Sequence, residues 1–185
     1  MLVMILFNIC GGPGAGKTTF SYYLAYRLKR AGFRTDLIYE PSRDLIFGGY
    51  PDRPPHQLLD NQVLMVGETY ERTLRLKRHG FQVAVSDSPI VQCLLYCKGH
   101  KYFDNLKSVI KDIETEFDTY NIFIHPRPGS YDPESRTQKT EAEARALDSV
   151  VRELFDKFWM EVNWDQEELL GDAAVELVRK KSSSS

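Results

Sequence analysis

The stretch Gly11-Gly12-Pro13-Gly14-Ala15-Gly16-Lys17-Thr18-Thr19 decides how the rest of the chain is read. Ahead of it an apolar run, Val3 to Cys10, stops at glycine. Behind it a helical pattern from Lys17 to Arg30 sets Phe20, Leu24, Tyr26 and Leu28 among basic and polar residues. Strand, loop and helix thus follow one another, and the loop carries the spacing Gly-x-x-x-x-Gly-Lys-Thr. Glycines so placed let backbone N–H groups wrap a phosphate, and the helix behind them aims its positive end at the same point. Gly12, Gly14, Ala15, Gly16, Lys17, Thr18 and Thr19 are therefore expected to cradle a nucleotide, ATP or GTP. Lys17 would bridge its β- and γ-phosphates, and Thr18 would be a ligand of Mg²⁺. The spacing by itself leaves kinase, ATPase and GTPase open.

Working outward, Ala31-Gly32 ends the helix, and Arg34 to Tyr39 alternates into a second strand that stops at Glu40-Pro41. A long helix from about position 56 to Arg78 ends at Gly80, and Phe81 to Val85 makes a third strand that halts at Ser86-Asp87-Ser88-Pro89. Helices around Val91 to Cys97 and Leu106 to Phe117 lead to a fourth strand, Tyr120 to Ile124. The residues from His125 to Pro133 are too rich in proline and glycine for a regular element, so about 125–139 reads as a loop long enough to act as a lid. Thr140 with Glu143 has the spacing of a capping box and opens a helix to about Phe158. A short strand near Trp159 to Asn163 and a helix from about Leu170 to Lys180 follow. Strands alternating with helices predict an α/β fold of three layers, a mostly parallel central sheet covered by helices on both faces. A single domain over 1–181 is expected, with 182–185 a disordered tail or an expression remnant.

The chain's 185 residues, 42% of them hydrophobic, suffice for one domain with a real core, and 24 basic against 26 acidic residues give no global cationic field for nucleic acid or membrane. No apolar run approaches the ~20 residues that cross a bilayer, and Cys10, Cys93 and Cys97 make neither a disulfide framework nor a zinc set. A cytoplasmic protein is the expectation.

Asp87, at the end of the third strand, would reach the crevice where ligands of parallel sheets bind, as a ligand of Mg²⁺; it also suits a cap of the helix that follows. Glu40 ends the second strand at the same crevice, where a carboxylate can orient and deprotonate an acceptor hydroxyl. Arg43 is a candidate for phosphate or substrate, the alternative being a solvated turn with a local Arg–Glu pair. Arg127 and Arg136 sit where a lid would close positive charge over the transferred phosphoryl and exclude water; pairing with Glu134 or Glu141 is the competing reading. Gln57, Asp60 and Gln62 lie on the helix that would line the acceptor side. No Asn-Lys-x-Asp segment follows the fourth strand, which argues against guanine specificity, and a compact phosphotransferase is the leading class.

The Gly-Gly-Pro-Gly-Ala-Gly-Lys-Thr-Thr loop, the Glu40-Pro41 strand end, Ser86-Asp87-Ser88-Pro89, and the segment Arg136-Thr137-Gln138 to Glu141-x-Glu143-Ala144 together resemble the nucleoside- and nucleotide-kinase fold. The likeness is to its ribosylnicotinamide-kinase-like branch and to the thymidylate-kinase-like proteins of bacterial viruses. It implies ATP and Mg²⁺, a general base at Glu40, an acidic residue near Mg²⁺ at Asp87, and a nucleoside-type acceptor, free or within DNA. Some viral relatives are similar to kinases of hydroxymethyluracil in DNA, a step of DNA modification, which would put the protein in the host cytoplasm. Asp-Ser-Pro stands where deoxyribonucleoside kinases carry an acidic-Arg-Ser triplet, and the arginine run of a thymidylate kinase lid is missing. An alternative of another class is a nucleotide-dependent switch or ATPase module.

Overall fold

The computed structural model describes residues 3–41, 59–129, 131 and 140–183, with 59–61 as helical backbone. Its elements run β1 (Ile5–Cys10), α1 (Lys17–Arg30), β2 (Thr35–Ile38), α2 (Leu59–Arg78), β3 (Val83–Ser86), a 3-10 helix (Ile90–Tyr96), α3 (Phe103–Glu114), β4 (Asp118–His125), α4 (Glu141–Leu154), β5 (Met160–Asn163) and α5 (Glu167–Ser183). The sheet is parallel throughout, in the order β2-β3-β1-β4-β5.

β1 is apolar almost without interruption because both its faces are covered. Ile5, Phe7 and Ile9 pack with Phe20, Leu24 and Leu28 of α1 and with Leu170, Ala174 and Val178 of α5. Leu6 and Cys10 point the other way, into a core shared with Val66 of α2, Leu94, Ile110 of α3 and Val151 of α4. The one polar residue in the strand, Asn8, is in register with Asn121 of β4, and its side-chain amide donates to the Asn121 carbonyl at 2.9 Å. A buried amide so paired costs little.

The crossovers that leave β1 and β3 fall on opposite faces. The helix after β1 packs on one core and the helices after β3 on the other, although β1 and β3 are neighbours. Adjacent strands whose chains leave in opposite directions open a crevice at their carboxyl ends, where parallel sheets bind ligands.

Several predicted boundaries shift. α4 stops at Leu154 because Phe155 turns to extended backbone, φ −111° and ψ 134°, and its ring packs on Phe158, itself 5.2 Å from Phe123. The predicted helix near Val91 is a 3-10 helix that follows Pro89. α5 begins earlier than expected and continues through Ser183, so the terminal serines start inside a helix. The short strand near Trp159 is present as β5, paired with β4. Among the described residues no helix is long and apolar enough to cross a membrane.

Candidate active site

The loop from β1 to α1 has the backbone its glycines allow. Gly14 and Gly16 take φ of 72° and 90°, conformations open mainly to glycine. Gly16 is the N-cap of α1, no side chain caps that helix, and its first turn holds no acidic residue. Most helix starts are closed by a Ser, Thr, Asp or Asn side chain; an N-terminus without one suits an anion. Lys17 folds back over the loop, its Nζ donating to the carbonyls of Gly11 and Gly12 at 3.0 Å each.

Across the crevice the Thr18 hydroxyl donates to Asp87 Oδ2 at 2.8 Å. Asp87 follows β3 directly, is only 4% exposed, and donates its backbone N–H to Ile38 of β2 at 3.1 Å. A hydroxyl and a carboxylate facing each other are the hard oxygen donors Mg²⁺ takes, and that ion draws few ligands from protein and the rest from phosphate and water. Among the described residues no group of three or more His, Cys, Asp or Glu could hold a metal by itself. Thr18 and Asp87 thus fit Mg²⁺ bound together with a nucleotide. The expected alternative, Asp87 as a helix cap, is not used: Pro89 is the N-cap of the 3-10 helix, which has no side-chain cap.

Glu40 lies half-buried just beyond β2, on the strand next to Asp87. The Cys93 thiol on the 3-10 helix is pushed up to about 12 by burial first, then by Cys97 and by the Glu40 charge, so that carboxylate faces the helix that follows Asp87. The carbonyl of Tyr39 accepts from Arg72 of α2 at 3.1 Å, which fixes the strand end. Cys93 and Cys97 are free thiols.

Two residues absent from the sequence-based site complete the loop. Asp148 of α4 accepts from the Gly12 N–H at 2.8 Å and from Arg145 Nη1 at 3.0 Å, while Arg145 Nη2 donates to the Pro13 carbonyl at 2.9 Å. A methyl group on Gly12 would stand 2.2 Å from Asp148 Oδ1, and one on Gly14 would meet the Tyr131 ring at 3.0 Å. Gln92 reaches the loop from the 3-10 helix, its amide donating to the Gly11 carbonyl at 3.2 Å. α4 is held in place by Arg152, whose two Nη atoms grip Glu161 of β5 at 3.1 and 2.7 Å while its guanidinium lies over Phe123. That pairing, with His125 second, holds the Glu161 carboxyl below its usual range. In sequence Arg145 and Asp148 look like an ordinary i,i+3 surface pair.

The remaining candidates scatter. Gln62 is 1% exposed, within the first turns of α2. Arg127 lies over the ring of Trp164, 4.8 Å from its centroid. Arg43, Gln57 and Arg136 lie outside the described residues, as does most of the expected lid, and Asp60 is described as backbone alone. The basic run Lys77, Arg78 and His79 closes α2 just before β3 begins, at the edge of the sheet opposite the crevice. Lys77 donates there to the Glu116 carbonyl and Arg78 pairs with Glu71.

A family model described as an AAA domain matches residues 6–167. Among solved structures, NadR in complex with NR superposes with a TM-score of 0.66 at 16% identity, over 98% of this chain and 52% of that one. NadR in complex with NAD and AMP-PNP gives 0.60 at 18% identity, over 94% and 49%. APS kinase CysC of Mycobacterium tuberculosis gives 0.54 at 10% identity, over 97% and 99%. The chain spans about half the length of the NadR chains, and at these identities the likeness is one of fold. No curated protein sequence matches the chain.

Proposed function

From a chain that belongs to the AAA domain family and shares its fold with P-loop kinases, we propose an ATP- and Mg²⁺-dependent kinase acting on a hydroxyl of a nucleoside-type acceptor. The observation that carries this reading is Glu40 beyond the end of β2, beside the strand that delivers Asp87 to Thr18. A carboxylate at that edge suits the orientation and deprotonation of an acceptor hydroxyl.

Lys17 leaves the Gly11 and Gly12 carbonyls for the β- and γ-phosphates, and the N-terminal amides of α1 take the remaining phosphate charge. Thr18 and Asp87 would hold Mg²⁺, which when bound would neutralise charge on the phosphates. Glu40 orients the acceptor O–H and receives its proton as the new O–Pγ bond forms and the Pγ–O bond to the β-phosphate breaks, leaving ADP. The ligands of the two NadR structures, NR in one and AMP-PNP in the other, support a nucleoside-type acceptor and an ATP donor. Hydroxymethyluracil in DNA is the narrowest candidate acceptor; free nucleosides, nucleotides and ribosylnicotinamide are the broader ones.

The test is transfer of label from γ-labelled ATP to free nucleosides, ribosylnicotinamide and hydroxymethyluracil-containing DNA. Glu40→Gln should lower transfer by about 10²–10⁴-fold with ATP affinity nearly intact, and Lys17→Ala should remove both. Unchanged turnover in Glu40→Gln takes that residue out of the mechanism. The description AAA domain favours a second reading, a nucleotide-dependent ATPase or switch module. Release of phosphate with label reaching none of the acceptors would establish it.

A further inference from the structure

Resting on the kinase reading above, we propose that Arg145 is the arginine that meets the transferring γ-phosphoryl group, and that Asp148 is the residue that positions it. Arg145 and Lys17 occupy consecutive carbonyls of one loop. Lys17 Nζ sits on Gly11 and Gly12, and Arg145 Nη2 sits on Pro13, 2.9 Å away. In loops of this spacing the lysine reaches the β- and γ-phosphates, and the Arg145 guanidinium is anchored on the next carbonyl of the same loop.

The guanidinium is anchored and incompletely used. Nη1 is tied to Asp148, and Asp148 is itself tied to the loop through the Gly12 N–H, which makes a closed ring of loop, carboxylate and arginine. Nε is buried and has no hydrogen-bond partner among the described residues. A buried donor left over on a cation is a costly arrangement unless an acceptor arrives. A phosphoryl group losing its bond to ADP spreads negative charge over three equatorial oxygens, which offer such acceptors. Arg127 has no comparable claim: its guanidinium is drawn to Trp164. Because α4 carries Arg145 and is pinned to β5 by Arg152 and Glu161, the group is set on a rigid element and needs no lid arginine to fold over it.

During transfer Arg145 exchanges no proton and forms no covalent bond. The acceptor oxygen bonds to Pγ, the bond from Pγ to the β-phosphate oxygen breaks, and the acceptor proton goes to Glu40. Arg145 contributes charge where it grows, which is why its effect belongs to the transition state and not to ATP binding.

The experiment compares the affinity of the full chain for ADP with Mg²⁺ and for ADP with Mg²⁺ and aluminium fluoride, a mimic of the transferring phosphoryl that needs no knowledge of the acceptor. The native chain should bind the fluoride complex at least about tenfold tighter than ADP, and Arg145→Ala should abolish that increment while changing ADP affinity less than about threefold. Arg145→Lys, which keeps the charge and loses the fork, should retain only part of it. Asp148→Asn should reduce the increment, and the double variant should be no worse than Arg145→Ala alone, the signature of one residue acting through another. Unfolding midpoints near the native value for Arg145→Lys and Asp148→Asn separate these effects from misfolding. The inference is overturned by a full increment in Arg145→Ala, by equal weakening of ADP and the fluoride complex, or by no increment in the native chain. Failure of the kinase reading looks different: an Arg145-dependent increment in a protein that passes phosphate to water alone.

Discussion

Gly12 owes its importance to the side chain it lacks. Its N–H holds Asp148, and the space a methyl group would fill is taken by that carboxylate, with the Ala144 carbonyl 3.2 Å away. Gly12→Ala should push Asp148 off the loop and cost about 1–3 kcal/mol of stability, since a buried donor loses its acceptor. Urea denaturation measures it; a variant as stable as the native chain would mean that α4 moves freely to make room. Residues whose placement is set by neighbours in the chain were legible from the sequence: Lys17 and Thr18 on the glycine loop by their spacing, Asp87 and Glu40 by standing at strand ends. Arg145 and Asp148 were not, because nothing local separates an ion pair on a solvated helix face from one resting on a loop far away in the chain. Arg127 has its ring contact with Trp164, which follows a different strand end.

At the scale of elements, α4 is started by a capping box: the Thr140 hydroxyl accepts from the Glu143 N–H at 3.2 Å, and the Glu143 carboxylate accepts from the Thr140 N–H at 3.3 Å. Thr140→Ala should cost about 1 kcal/mol, read by chemical denaturation. A loss below ~0.3 kcal/mol would show that the Arg152 clamp alone fixes the helix. This box was legible because it needs four consecutive residues and no tertiary information. The end of the same helix was not, since Phe155 and Phe158 continue a helical spacing while their rings are drawn into the cluster around Phe123. Packing overrode periodicity there. β4 and β5 were read in the right order, β5 within one residue and β4 too short at both ends, although no pattern in the chain says that they are partners.

For the molecule as a whole, the alternation of strands and helices announced a covered parallel sheet, but not that β1 would lie between β3 and β4, the placement that brings Thr18 to Asp87. Pairing between distant strands has no local signature. Burial has a second global effect at Glu114, which ends α3 and lines a small pocket with Asn8, Thr73 and Phe117. Its carboxyl is raised from 4.5 to about 7 by burial first and by Asp156 second. Below 4.5 the group is protonated folded or unfolded and adds nothing. From there to about 7 the unfolded chain gives up the proton and the folded one keeps it, so stability falls as pH rises and levels off above. Glu114→Gln should therefore raise stability at pH ~8 by on the order of 1 kcal/mol, solvent screening allowed for, and leave it unchanged near pH ~4. An equal gain at both pH values in urea denaturation would refute the assignment.

The open first turn of α1 has a consequence for folding as well as for binding. On the proposed reading, a helix start that no side chain caps would be finished by a diffusible molecule. Every anion that seats on Gly16 and Lys17 selects the folded chain over the unfolded one, and it does so by an amount that grows with the logarithm of its concentration above the dissociation constant. The thermal resistance of the protein thus becomes a gauge of the nucleotide around it.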